Sequence, residues 1–254
     1  MAALYAGNDL YDTFDLIYGH GQLSHLRTPH DDRQEQIAAL EAAQPLTERA
    51  RLVTRMGKRP WPLRDFLRDH SALFHFARHL DNGSAALAGR QSDPWQATQQ
   101  RALQHAEFLY AHDGGDGSRT TLTVAKRLLS LDTADLRIDE SRVLVLRALR
   151  EMARRSAAMG ARLLIVWIPT KELVFAPWIT GQTVPDLQRL IEVETDLQEQ
   201  VRRTAVDLEV PFVDALPALR HSLIQGERPY PESADGHPTD IGYAHIARIV
   251  ADRL

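Results

Sequence analysis

The run "ARLLIVWI", residues 161–168, constrains the fold more than any other stretch of this chain. A strand with one solvated face alternates apolar and polar residues. A nearly continuous apolar run suits a strand buried on both faces of a parallel sheet. The flanking segments agree. Upstream, "DESRVLVLRALREMARRSAAMG" has helical spacing. Asp139 is placed to cap it, Val143, Leu146, Leu149 and Met152 line one side, and Gly160 ends it. Downstream, "DLQRLIEVETDLQEQVRRTAVDLE" (186–209) sets Leu187, Leu190, Ile191, Glu194, Leu197, Val201, Ala205 and Leu208 in helical register. A short strand, "VPFVDAL", follows. A last helix is expected from about Thr239 to Leu254, with Tyr243, Ile246, Val250 and Leu254 facing inward.

The chain opens on "AALYA", an apolar run that stops at Gly7-Asn8-Asp9 and reads as a buried strand. The segment from about 31 to 131 is helical and polar. It includes "PLRDFLRDHSALFHFARHL" and "WQATQQRALQHAEFLYAH", with "DGGDGS" as a loop. The element order is strand, helices, strand, helix, strand, helix. It predicts an α/β fold with a parallel sheet, as a single domain over 1–254 with a helical insertion over about 31–131.

In an open sheet of this kind, ligands bind at the carboxyl ends of the strands. Three loops fall there: "GNDLYD", "PTKELVF" and the long stretch from Asp214 to Pro238. The last ends in "DGHP". A general-base histidine needs an acceptor on its second ring nitrogen, and Asp235 shares one tight loop with His237. Gly236 relaxes the backbone between them, and Pro238 suits a helix start. The same tetrapeptide would serve as a plain helix cap. In "GND", Asn8 could aim its amide at a developing oxyanion beside a backbone N–H, with Gly7 part of the same substrate-facing turn; the tripeptide is also an ordinary turn. Lys171 and Glu172 sit at a strand end, as a substrate contact or as a solvated ion pair.

Composition excludes other chemistries. The 254 residues include no cysteine, which rules out thiol catalysis and cysteine-ligated metals. The formal net charge is −4, so the chain as a whole offers no electrostatic footprint for nucleic acid. No stretch approaches the roughly 18 apolar residues of a membrane span. No histidine or carboxylate spacing implies a metal or an organic cofactor.

"GND" after an early strand and "DGHPTDIGYAHIA" before the last helix resemble the third and last conserved blocks of the SGNH hydrolases, the GDSL esterase/lipase family. The D-x-H spacing is similar to the branch related to alginate O-acetyltransferases. "LLIVWIPTKELVF" and "VDALPALR" also resemble segments of that group. The resemblance implies a three-layer, flavodoxin-like fold. It implies ester hydrolysis or O-acyl (acetyl) transfer on a small-molecule or carbohydrate ester, with no cofactor. By resemblance, His237 would be the base, Asp235 its orienting partner and Asn8 an oxyanion donor. The family's nucleophile is a Ser in a "GDS" turn upstream of the "GND" block, and this chain contains no "GDS". Ser118, Ser130 and the other serines lie in helical or loop contexts without a nucleophile turn. The resemblance therefore implies an N-terminally incomplete copy that lacks the family's first strands, with a sheet edge open to pairing with a second copy of the chain. A non-catalytic binding or scaffold protein that keeps the cleft is the alternative from another class.

Overall fold

The computed structural model describes residues 1–27, 32–48, 94–114, 118–179 and 184–253. The expected helix within 63–80 lies outside them. Three parallel strands, β1 (Ala2–Tyr5), β4 (Ile165–Ile168) and β5 (Phe212–Asp214), form one sheet in the order β1–β4–β5. Ala2 pairs with Ile165 and Tyr5 with Ile168 on one side; Ile165 pairs with Phe212 and Trp167 with Asp214 on the other. The central strand is the one drawn from the apolar run, and all four of its residues are buried. Its alternation in space explains its lack of alternation in sequence. Trp167 shares one cavity with Leu4, Ala6, Val145 and Val201, whereas Val166 and Ile168 share a groove with Ala3, Ile246 and Val250 on the opposite face. Each large side chain withdrawn from water in this way contributes roughly 1.5–3 kcal/mol.

Helices from both ends of the chain supply the cover. Helix α1 (Asp9–Phe14) lies against α5 (Leu136–Ala158) and α4 (Val124–Leu131), and α7 (Leu187–Asp207) packs on α4 and α5. In α7 the expected register holds: Leu190, Glu194, Leu197, Val201 and Ala205 are all buried. Helix α5 begins earlier than predicted. Asp135, not Asp139, caps it, its carboxylate accepting from the Arg137 N–H at 3.0 Å. Of its expected inward face, Leu149 is buried and Leu146 packs against the core, while Met152 is exposed; Leu144 is buried as well. Gly160 ends the helix with φ at +69°, a left-handed position that suits glycine.

Helix α9 (Asp240–Ala251) is capped by the Thr239 hydroxyl, which accepts from the Gly242 N–H. Ile246 faces inward as expected, but Tyr243 is exposed, and Leu254 lies outside the described residues. Gly242 takes the inward place because the helix rests on the Pro229 carbonyl, which a Cβ there would meet at 2.4 Å.

The insertion is only partly helical. Helix α2 (Asp32–Ala43) and α3 (Pro94–Gln104) are followed by an antiparallel pair, β2 (Tyr110–Asp113) and β3 (Arg119–Leu122). The expected helix over "WQATQQRALQHAEFLYAH" thus ends at Gln104, and its tail is β2. The remaining elements are α6 (Lys171–Phe175) and α8 (Leu216–Ile224). No helix among the described residues is long and apolar enough to cross a membrane.

Candidate functional site

The carboxyl end of β1 turns at Ala6-Gly7-Asn8 and enters α1 directly. Beside this turn runs the strap of residues 231–237 that leads into α9. A cleft of about 490 Å³ opens between them. Its walls include Gly7, Asn8, Tyr11, Asp12, Lys126, Arg127, Ser130, Asp235, Gly236 and His237. The sequence motifs from the two ends of the chain therefore meet in one place.

Asp235 Oδ1 accepts from the His237 ring at Nδ1, 2.8 Å away, and from the His237 backbone N–H at 3.1 Å. One oxygen thus fixes both the ring and the main chain of the same residue. Partial burial pushes the Asp235 carboxyl up, but the His237 bonds and charge, with the Lys171 charge, hold it below the ordinary range. An ionised acceptor at Nδ1 keeps the proton there and leaves Nε2 as the basic nitrogen of the neutral ring. Both side chains are more than half exposed. The Tyr5 ring packs beneath the imidazole, with ring centroids 5.0 Å apart.

Asn8 is at the cleft, where an oxyanion donor would stand. Its Nδ2 donates to Asp12 Oδ2, leaving its second N–H. Burial raises the Asp12 carboxyl, with the neighbouring charge of Asp15 acting in the same direction. Gly7 is buried, and the position suits glycine because a Cβ there would meet the Tyr5 ring at 2.3 Å. Its carbonyl accepts from Arg127 Nη1 at 3.1 Å.

Two expectations need correction. Gly236 does not relax the backbone, since its φ is not positive. It is glycine because the strap lies on other side chains: a Cβ would come within 1.6 Å of Arg127 Nη2 and 2.6 Å of the Tyr5 hydroxyl oxygen. Lys171 is not a solvated ion. It is fully buried, and its Nζ donates to the carbonyls of Ser233 (2.6 Å) and Asp235 (2.9 Å). Burial lowers its amine to about 8, the Glu172 charge opposing the shift.

Glu172 lies equally deep. It accepts from the Thr123 N–H at 2.7 Å and faces Arg127 Nε at 3.6 Å. Burial would raise its carboxyl, but the charges of Arg127 and Lys171 hold it below the ordinary range. Glu194 completes the group, accepting from the Thr170 N–H and hydroxyl; burial pushes it up to about 7. Sequence reasoning singled out neither Tyr5 nor Arg127. Tyr5 carried no signal. Arg127 did carry one: in "VAKRLLSL" it falls between the apolar positions Val124, Leu128 and Leu131, on the buried side of α4.

Ser130 reaches the cleft wall from the last turn of the same helix, without a nucleophile turn. Among the described residues, no group of three or more histidine or acidic side chains could hold a metal ion. No family model matches the chain, and neither a curated protein nor a solved structure matches it.

Proposed function

We propose that this cleft is the base-and-oxyanion half of an SGNH-type site for ester hydrolysis or acyl transfer, built on a three-layer, flavodoxin-like α/β frame. The single observation that carries the reading is the 2.8 Å bond between His237 Nδ1 and Asp235 in the same cleft as Asn8. His237 Nε2 takes the proton from a hydroxyl that attacks the ester carbonyl, while Nδ1–H stays on Asp235. The Asn8 amide donates to the oxygen that becomes negative in the tetrahedral intermediate. The attacking hydroxyl is a water or a serine, and Ser130 is the serine of the described cleft wall.

The test uses the purified chain with p-nitrophenyl acetate beside His237→Ala and Ser130→Ala. Without a strained nucleophile turn, turnover is expected to be slow but above buffer. Loss of a general base costs about 10²–10⁴-fold, so His237→Ala is expected to fall to the buffer rate. Equal rates in wild type and His237→Ala overturn the reading. A fast rate that disappears in Ser130→Ala assigns the nucleophile to that residue and supports it.

A further inference from the structure

The strap that carries Asp235 and His237 is held by its carbonyl groups, and the donors come from three separate elements. Thr120 Oγ1 donates to Pro231 O at 3.3 Å, and Thr121 Oγ1 donates to Glu232 O at 2.8 Å. Lys171 Nζ donates to Ser233 O and Asp235 O. The Tyr5 hydroxyl donates to Gly236 O at 2.6 Å. Five of the six carbonyls from Pro231 to Gly236 therefore dock on side chains of β3, α6 and the end of β1. The Tyr230 hydroxyl, donating to Pro169 O at 2.7 Å, pins the strap's entrance to the loop before α6.

Lys171 is central to this row. It alone holds two carbonyls, and one of them belongs to Asp235 itself. It is also a costly residue to place there. An ammonium removed from water loses several kcal/mol of hydration, and carbonyl dipoles with one buried carboxylate only partly replace it. A methionine would fill the same volume without that cost. What methionine cannot do is hold two main-chain carbonyls of the strap at the sheet end with charge-assisted bonds.

We propose that Lys171 is a positioning residue for the Asp235–His237 pair, acting through the carbonyls of Ser233 and Asp235 rather than by touching a ligand. The inference deepens the reading of these two residues as base and orienter, but its test does not need turnover. Its ammonium sets where the Asp235 main chain sits, and so where Oδ1 meets the imidazole. The Tyr5 hydroxyl sets the next carbonyl along, and Gly236 is the residue that lets the strap lie this close.

The experiment is NMR of Lys171→Met beside wild type, with circular dichroism to confirm folding. Two signals are followed: the downfield proton on His237 Nδ1, and the titration of the Asp235 carboxyl. In the folded variant the downfield proton is expected to be lost to exchange, and the Asp235 midpoint is expected to move up. A folded Lys171→Met with both signals unchanged overturns the proposal. The native chain gives a second measurement that does not depend on the variant folding. The carbonyl carbons of Ser233 and Asp235 are expected to shift together as pH is raised, with a midpoint at about 8, where Lys171 loses its charge. Flat profiles at both carbonyls from about pH 7 to about pH 12, a window that spans both the lowered and the ordinary lysine range, overturn it. Loss of esterase turnover in His237→Ala bears on the reading of the cleft alone. A strap that responds to Lys171 in a chain with no turnover would separate the two ideas.

Discussion

Two regions of this molecule assemble basic side chains around carboxylates, and the same chemistry has opposite weight in each. On the outer faces of α5 and α7, Glu151 bridges Arg154 and Arg155, and Glu199 bridges Arg202 and Arg203, with all four bonds between 2.6 and 2.7 Å. At the carboxyl end of the sheet, Glu172 faces Arg127 at 3.6 Å, beside Lys171 and Glu194, all of them fully buried or nearly so. Judged by distance, the exposed pairs are better. Judged by consequence, the order reverses. Water and salt screen the helix-surface charges, and holding the long side chains costs entropy that offsets the attraction. At the sheet end there is no water to take over when a partner is removed.

The sharpest way to break the contrast is Glu172→Ala. It leaves Arg127 and Lys171 buried without their nearest countercharge and the Thr123 N–H without its acceptor. A loss of about 3–5 kcal/mol is expected in urea denaturation. A loss no larger than that of a surface substitution would mean that the buried array carries no more weight than the exposed ones.

The pH profile of stability is a finer test. Glu194 has its carboxyl raised from 4.5 to about 7. The native state therefore holds this proton where the unfolded chain has released it. Stability is expected to fall as pH climbs from about 4.5 through about 7, by on the order of 2–3 kcal/mol from this group. Lys171 has the opposite sign: its amine is lowered from 10.5 to about 8, so the unfolded chain binds the extra proton and stability recovers between those values. Asp9, raised to about 6 chiefly by burial, adds to the acid limb. Thermal melts across this range are expected to pass through a minimum near pH 7–8, and Glu194→Gln is expected to flatten the acid limb. A profile that rises steadily from pH 5 to 8 would contradict the assignment.

The smallest effect belongs to the exposed array. Glu199→Ala, which removes both helix-surface bridges at once, is expected to leave the denaturation midpoint unmoved within error at physiological salt.

The frame was legible because its signal is apolar periodicity. The central strand, the two flanking strands and the register of α7 follow from patterns that burial imposes on sequence. The cleft pairing of Asn8 with Asp235 and His237 followed from element order alone. What escaped was of two kinds. The β2–β3 hairpin continues a helix-like stretch without a break in composition, and among the described residues its strands pair only with each other, so no third strand there sharpens the pattern. The docking of the strap was the second. Lys171 beside Glu172 has the look of a surface pair, and the bonds that bury it are made to main-chain carbonyls some sixty residues away. Carbonyls are the same for every residue, so no sequence pattern announces which will be used.

One further feature bears on whether two copies of the chain can join. Among the described residues, β1 is an edge strand. By the alternation of a parallel ladder, Ala2 and Ala6 bond inward to β4, so the N–H groups of Ala3 and Tyr5 point along the open side. The Tyr5 N–H already donates to Asp9 Oδ2 at 2.7 Å. The carboxylate occupies that donor as a stopper occupies the neck of a bottle. Of the two donors on that side, the Tyr5 N–H is thereby taken and the Ala3 N–H is left. The residue that starts α1 thus also occupies the edge donor nearest the carboxyl end of β1.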